Sequence, residues 1–88
     1  MSTSLTDNEI EALKLCLNYA DRESQLNDNY SNAGSEEFAG IFDGNKHAAG
    51  GLITSLAEKG MGNMDEEDDI FWLSDEGVNT IFDIIENR

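Results

Sequence analysis

Residues 52–77 read LITSLAEKGMGNMDEEDDIFWLSDEG, and this stretch decides the fold. Its first part repeats apolar residues at helical spacing and stops at Gly60, where glycine readily adopts the left-handed conformation that ends helices. Five consecutive carboxylates, Asp65–Asp69, then separate two short segments, 61–64 and 70–73, of which the second is aromatic and β-branched. The stretch therefore predicts a helix followed by a two-stranded hairpin whose turn is Asp65–Asp69, here called the acidic tip.

Helical patterns flank the hairpin on both sides. The helix before it is expected to run from about Asn45 to Lys59. The residues of that helix that we expect to face the core are Ala48, Ala49, Leu52, Ile53 and Leu56. After the hairpin, Ser74 is the predicted N-cap of a last helix. The predicted buried face of this last helix consists of Val78, Ile81, Phe82 and Ile85.

Two further helices are predicted in the N-terminal half. Residues Thr6–Glu9 match a capping box and begin a helix that we expect at about residues 7–21. Ser35 is the predicted N-cap of a short helix over residues 36–42. The intervening residues 22–35 are polar and rich in turn formers, so we expect them to form a loop.

The size of the chain allows one domain. Its 88 residues contain 39% hydrophobic residues, enough for one modest core. We therefore expect residues 1–88 to form a single α+β domain, with the small and polar residues 1–6 disordered.

The order helix, helix, helix, acidic hairpin, helix resembles a winged helix-turn-helix module. Segments Leu52–Met61 and Trp72–Gly77, with the acidic tip between them, are similar to winged-helix repressors of the multiple-antibiotic-resistance and phenolic-acid-repressor types. The resemblance covers about residues 45–85. It implies a small winged-helix domain with three helices, a two-stranded wing and a C-terminal helix. Such repressors usually dimerise through additional terminal helices, which we do not recognise here, so we expect a monomer or a weak homodimer.

Winged-helix repressors generally read DNA with the third helix, and the resemblance makes Lys46, His47 and Thr54 the candidate nucleic-acid contacts. No Arg, Gln or Asn lies at the outward positions of that helix to pair with base edges. The acidic tip would face phosphates, and like charges about 4 Å apart repel by about 1 kcal/mol even in water. Direct DNA binding is disfavoured. A DNA-binding transcriptional regulator that acts as an oligomer or with a partner remains the alternative.

The charge of the chain favours a protein partner with a basic surface. Nineteen Asp and Glu residues face five Lys and Arg residues, which leaves a net charge of −14. Complementary charge accelerates association and directs specificity. In size and charge the chain resembles inhibitors encoded by phages and mobile elements that mimic nucleic acid. The candidate partner-binding residues are Asp65, Glu66, Glu67, Asp68, Asp69, Glu36, Glu37, Asp75 and Glu76. A solvated surface that keeps the protein soluble is the other interpretation of such a charge run.

The aromatic pair of the second strand adds one more candidate. Phe71 and Trp72 are expected on opposite faces of the strand, so one of them enters the core. An exposed Trp72 beside the acidic tip would be an anchor for a partner. The alternative is that Trp72 packs beneath the hairpin.

Enzymatic function is not indicated by the residues. Cys16 is the single cysteine and His47 the single histidine, and the sequence contains no phosphate loop, nucleophile elbow or metal-ligand set. We expect no catalytic activity, no cofactor and no metal. No apolar run approaches the ~18 residues of a membrane span, and no basic region leads into an apolar stretch at the N-terminus. We therefore expect no membrane binding and a cytoplasmic location, that of the host if the gene belongs to a phage.

Overall fold

The hairpin has a central place in the fold because its second strand has neighbours on both sides. In the computed structural model, which describes residues 4–87, the elements follow as α1 Asp7–Cys16, α2 Arg22–Asn27, α3 Ser35–Gly40, α4 Lys46–Glu58, β1 Gly62–Asp65, β2 Ile70–Leu73 and α5 Asp75–Glu86. The two strands are antiparallel, with Gly62 opposite Leu73 and Asp65 opposite Ile70. On the other side of β2, the Phe71 amide donates to the Ala33 carbonyl oxygen over 2.8 Å. The α+β class is confirmed.

The core lies against one face of this hairpin. Phe71 and Leu73 of β2 are buried, and Phe71 packs edge-on against Phe38 of α3 with ring centroids 5.7 Å apart. The other buried hydrophobic residues come from α1, the segment before α3, α3, α4, the turn before β1, and α5: Ala12, Leu13, Cys16, Ala33, Ala39, Ala49, Leu52, Leu56, Met61, Val78, Ile81 and Phe82. One cluster therefore connects the helices to the hairpin.

Several helix ends agree with the sequence because they depend on neighbouring residues. The Glu9 amide donates to the Thr6 hydroxyl and the Thr6 amide to the Glu9 carboxylate, which confirms the predicted capping box. The Ser74 hydroxyl accepts from the Gly77 amide and caps α5 as predicted. Gly60 has a φ of 80° just after α4, the left-handed conformation that glycine tolerates best.

The predictions for residues 17–34 were wrong in two respects. α1 ends at Cys16 rather than near residue 21, because Leu17 is extended. The predicted loop over residues 22–35 contains α2, whose N-cap Asp21 accepts from the Ser24 amide. The side chain of Gln25 in α2 is fully buried and accepts hydrogen bonds from the Asn18 and Tyr19 amides. A buried amide therefore organises this connection, where the sequence shows no apolar periodicity.

Smaller corrections concern ends and exposure. α3 begins at Ser35 with Gly34 as its N-cap, one residue earlier than predicted, and β1 is shifted by one residue to Gly62–Asp65. Ile85 is 38% exposed rather than buried, because it lies in the last turn of α5 beyond the core.

The expected disorder of residues 1–6 falls partly outside the described residues, which begin at Ser4. Ser4, Leu5 and Thr6 belong to the described part and contact the rest of the chain. The Ser4 carbonyl oxygen accepts from Lys59, Leu5 packs against the core and Thr6 caps α1. The contact at Ser4 comes from Lys59, which is 55 positions away, so local composition did not reveal it.

A buried ion pair joins α1 to the end of α4. Glu9 is only 2% exposed, and its carboxylate accepts from Lys59 Nζ over 2.7 Å and from the Ser55 hydroxyl over 2.6 Å. Burial by itself would raise the pKa of Glu9. The hydrogen bonds from Lys59, Ser55 and the Thr6 amide outweigh that effect and lower the pKa from 4.5 to about 2.

We predict that Glu9→Gln lowers the free energy of unfolding at neutral pH by about 2 kcal/mol, because it removes the charge that Lys59 faces in a largely buried place. The folded-state pKa of Glu9 lies below its unfolded value, so this contribution is present above about pH 4.5 and is lost as the pH falls toward 2. Urea unfolding across this range measures both effects. Glu11→Gln, on the exposed side of α1, is the control and should be nearly neutral. An equal loss of unfolding free energy in both variants would contradict a stabilising role of the Glu9–Lys59 ion pair.

Candidate functional site

The acidic tip is held in a defined shape by its first and last residues. The Asp65 carboxylate accepts from the amides of Glu67 and Asp68, over 3.1 and 3.4 Å, and closes the turn. The Asp69 carboxylate accepts from the amide and hydroxyl of Ser35 at the start of α3. Asp69 itself has a φ of 56°, a conformation that Asp tolerates better than most residues. Asp65 and Asp69 therefore serve the structure of the tip.

The three carboxylates between them point to solvent. Glu66, Glu67 and Asp68, here called the outer carboxylates, are all exposed. None of them forms a salt bridge with a residue in the range 4–87. A turn closed by Asp65 and tied to α3 by Asp69 thus presents three adjacent negative charges that no salt bridge within residues 4–87 neutralises.

The other predicted acidic residues divide into two groups. Glu36 and Glu37 lie beside the tip because Ser35 bonds to Asp69, but the Glu37 carboxylate accepts from the amide of Gly34, the N-cap of α3. Glu36 is exposed. Asp75 and Glu76 are exposed in the first turn of α5, at the opposite end of the hairpin. They are separated from the tip by the length of a four-residue strand, roughly 13 Å.

Two of the basic side chains are engaged in internal pairs. Arg22 of α2 donates to the carboxylates of Asp83 and Glu86 on α5, over 2.6 and 2.9 Å. The Asp83 hydrogen bond is the main reason that the pKa of Arg22 is raised. Lys59 is paired with Glu9. Both pairs join separate helices, so these two positive charges contribute to packing and not to neutralising the tip.

The predicted nucleic-acid contacts come together on the exposed face of α4. Lys46, His47 and Thr54 are exposed and line one open groove of about 550 Å³. The Thr54 hydroxyl donates to the Gly50 carbonyl oxygen within the helix. Gly50 and Gly51 form the floor of the groove, and a Cβ at either position would meet no atom within 4 Å. The glycines are therefore not required by packing within the chain.

A second groove, of about 450 Å³, separates α4 from the hairpin. It is lined by Ser35, Gly50, Ile53, Thr54, Met64, Glu66 and Asp69. One side of the α4 face is thus bordered by carboxylates of the acidic tip. This arrangement opposes the approach of a phosphate backbone to α4.

Trp72 is on the solvent side of the hairpin and is 39% exposed, while Phe71 is fully buried. This result excludes the alternative that Trp72 packs beneath the hairpin. Its partner across the ladder is Asn63, which is also exposed. Ile70 and Asp65 are opposite each other on the same face and are partly exposed. The solvent-facing side of the hairpin, opposite the hydrophobic core, thus carries the exposed aromatic residue Trp72.

Residues 29–33 extend this face on the other side of β2, which sequence analysis did not foresee. Phe71 bonds to Ala33, and the Asn29 side chain donates to the Leu73 carbonyl oxygen over 2.9 Å, so the segment runs antiparallel to β2. Ser31 and Ala33 are buried, while Tyr30 and Asn32 are exposed. We call Tyr30, Asn32, Asn63, Ile70 and Trp72 the outer sheet face. The sequence carries no period-two signal for this segment, because Tyr30-Ser31-Asn32-Ala33 does not alternate between polar and apolar residues.

The single cysteine and histidine are in different environments. Cys16 is 1% exposed, and burial raises the pKa of its thiol to about 11, although a hydrogen bond with Ser31 acts in the opposite direction. The thiol is therefore protonated at neutral pH, a state that is poorly nucleophilic. His47 is exposed on α4.

Comparisons with protein-family models, curated proteins and solved structures give no match. In residues 4–87, no three His, Cys, Asp or Glu side chains converge in a way that could hold a metal ion. None of the helices in this range has the length and hydropathy that crossing a bilayer requires.

We predict that Gly34→Ala disturbs the acidic tip, because a Cβ at Gly34 would overlap the Asp69 carbonyl oxygen. The expected loss is about 1–3 kcal/mol in the free energy of unfolding, as in other overpacked sites. Chemical denaturation measures it. Gly40→Ala, at an exposed position with open space around it, is the matched control and should change stability by less than about 1 kcal/mol. Similar losses in both variants would refute the close approach.

We also predict that Gly50→Ala combined with Gly51→Ala stabilises the protein. Both residues are exposed within α4, and alanine is better than glycine in a helix by about 0.5–1 kcal/mol per position. The expected gain is about 1–2 kcal/mol, measured by thermal or chemical unfolding. Thr54→Ala, on the same face, controls for changes in the groove itself. A destabilised double variant would mean that these glycines are needed for the fold.

Proposed function

We propose that this protein acts by binding and not by catalysis, and that its partner is a protein with a basic surface. The observation that carries the proposal is the exposure of the three outer carboxylates on a turn whose shape is held by Asp65 and Asp69. A turn fixed in advance loses little conformational entropy on binding, so charge complementarity contributes more fully to affinity.

The charge of the rest of the chain supports this proposal. With a net charge of −14, the protein attracts positive surfaces over distances of about one Debye length, roughly 8 Å at physiological salt. Such a field accelerates association with a basic protein. A natural class of target consists of proteins that handle nucleic acids, whose clefts are built for a polyanion. We therefore propose an inhibitor of such a protein, of the kind that phages and mobile elements encode.

We propose a winged helix as the architecture. Support comes from the order α3, α4 and hairpin, from the turn over residues 41–45 between the two helices, and from the packing of α3 on α4 and of the hairpin beside them. The resemblance over residues 45–85 points to the same module. In this arrangement α4 is in the position of the recognition helix and the acidic tip is at the end of the wing.

The same module supports a second candidate function, a transcriptional regulator that binds DNA as an oligomer or with a basic partner. Lys46, His47 and Thr54 share one exposed groove on α4, the observation that favours it. The carboxylates of Glu66 and Asp69 border the other side of that face and act against it. The two functions differ in which substitutions weaken binding.

We predict that replacing the outer carboxylates by their amides, Glu66→Gln, Glu67→Gln and Asp68→Asn, reduces the capture of basic proteins from cell lysate at least tenfold. Quantitative mass spectrometry of co-purified proteins measures this. The control variant carries Glu11→Gln, Glu23→Gln and Asp43→Asn, which remove the same number of exposed charges far from the hairpin in sequence. Because the net charge changes equally, a loss confined to the first variant assigns binding to the acidic tip.

A gel shift with duplex DNA over a range of salt concentrations distinguishes the second candidate. Micromolar binding that weakens steeply with salt, and that is lost with Lys46→Ala, would favour the regulator. Equal capture of basic proteins by the wild type and both triple variants would contradict the proposed role of the tip.

A further inference from the structure

The outer sheet face has no role in the binding that is proposed for the acidic tip. Trp72 has 39% of its surface exposed in the middle of this face, between Asn63 of β1 and Asn32 of the segment beside β2. Tyr30 is also 39% exposed and packs edge-on against Tyr19, with ring centroids 6.1 Å apart. Trp72 would be buried only if the register of β2 were shifted by one residue, because Phe71 occupies the core side in the present register.

We propose that this face binds arginine side chains of the partner protein, with Trp72 as the ring on which a guanidinium group stacks. The inference rests on the proposed function and specifies its surface and the chemistry of its partner. Guanidinium groups stack on indole rings and also pair with carboxylates, so arginine uses both features of the hairpin.

Charge complementarity selects this occupant. Asp65 is opposite Ile70 and is the diagonal neighbour of Trp72 on the same face, roughly 7–8 Å away, so a carboxylate lies within about one Debye length of the indole ring. Two of the described basic side chains, Arg22 and Lys59, already form salt bridges with carboxylates of α5 and α1. No salt bridge among residues 4–87 involves the outer carboxylates, so a cation of another molecule can pair with them.

The composition of the face argues against an apolar partner. Trp72 and Ile70 are its main apolar side chains, and asparagines flank Trp72 on both sides. This is much less apolar surface than hydrophobic interfaces present in one patch. Asparagine carbonyl oxygens instead accept hydrogen bonds from guanidinium groups. A single-stranded nucleic acid would also stack on the ring, but the outer carboxylates repel its phosphates.

Trp72 makes the inference directly measurable because it is the only tryptophan of the chain. The probes are an oligoarginine peptide and an oligolysine peptide of equal length, at physiological salt. We expect oligoarginine to change the Trp72 fluorescence and to bind at least about threefold more tightly than oligolysine, since stacking adds to the charge attraction. The binding constants come from titrations of the full chain with labelled peptide.

Variants separate the ring from the charges. Trp72→Ala should reduce the preference for arginine to near equality while retaining the binding that the acidic tip supplies. Tyr30→Ala retains the Trp72 fluorescence signal and should weaken the binding of oligoarginine about twofold. Leu15→Ala, at a 45% exposed position on α1, is the matched control and should leave the affinity for both peptides unchanged. Circular dichroism and unfolding curves establish that each variant is folded.

The possible results separate this inference from the function on which it rests. Equal binding of the two peptides with unchanged Trp72 fluorescence would overturn the inference and leave the acidic tip as the binding surface. Failure of both peptides to bind would overturn the inference and the proposed function together. A larger fluorescence change with oligothymidylate than with oligoarginine would overturn it in favour of single-stranded nucleic acid.

Discussion

The alternation of side chains along β2 is the constraint on which the rest of the structure depends. Phe71 and Leu73 point into the core, so Ile70 and Trp72 must point outward. The pairing of β2 with β1 and its hydrogen bond to Ala33 fix this orientation from both sides. A shift of one residue would exchange Phe71 for Trp72 and expose the ring that packs on Phe38. The core and the outer sheet face are therefore two consequences of one register.

The charged side chains of the described residues fall into two groups, a few that form ion pairs between helices and many carboxylates that are exposed. Arg22 joins α2 to α5, and Lys59 joins α4 to α1 through Glu9. Among the described residues these pairs join elements that are distant in sequence. Within residues 4–87 the outer carboxylates form no salt bridge, although like charges on adjacent residues destabilise a folded protein by mutual repulsion. These exposed charges lie on a turn whose backbone is held by two other aspartates, so the same short segment combines a closed turn with an unneutralised surface.

Roles within the acidic tip differ although its five residues look equivalent in the sequence. Asp65 closes the turn and Asp69 connects the hairpin to Ser35 of α3, while Glu66, Glu67 and Asp68 face solvent. The connection to α3 also depends on Gly34, whose missing side chain allows the Asp69 backbone to approach. The shape of the tip is thus set by α3 as much as by the hairpin.

Local patterns were sufficient for the caps at Thr6 and Ser74, for the left-handed end of α4 at Gly60 and for the position of β2, because each depends on residues within one turn or one strand. They failed for α2, whose Arg22 pairs with Asp83 of α5, and for Ser4, whose carbonyl oxygen accepts from Lys59, because both contacts join residues far apart in the chain. They also left open which face of β2 would be buried. That choice, like the separation of Asp69 from the outer carboxylates, arises from contacts between segments distant in sequence, and no local period encodes such contacts.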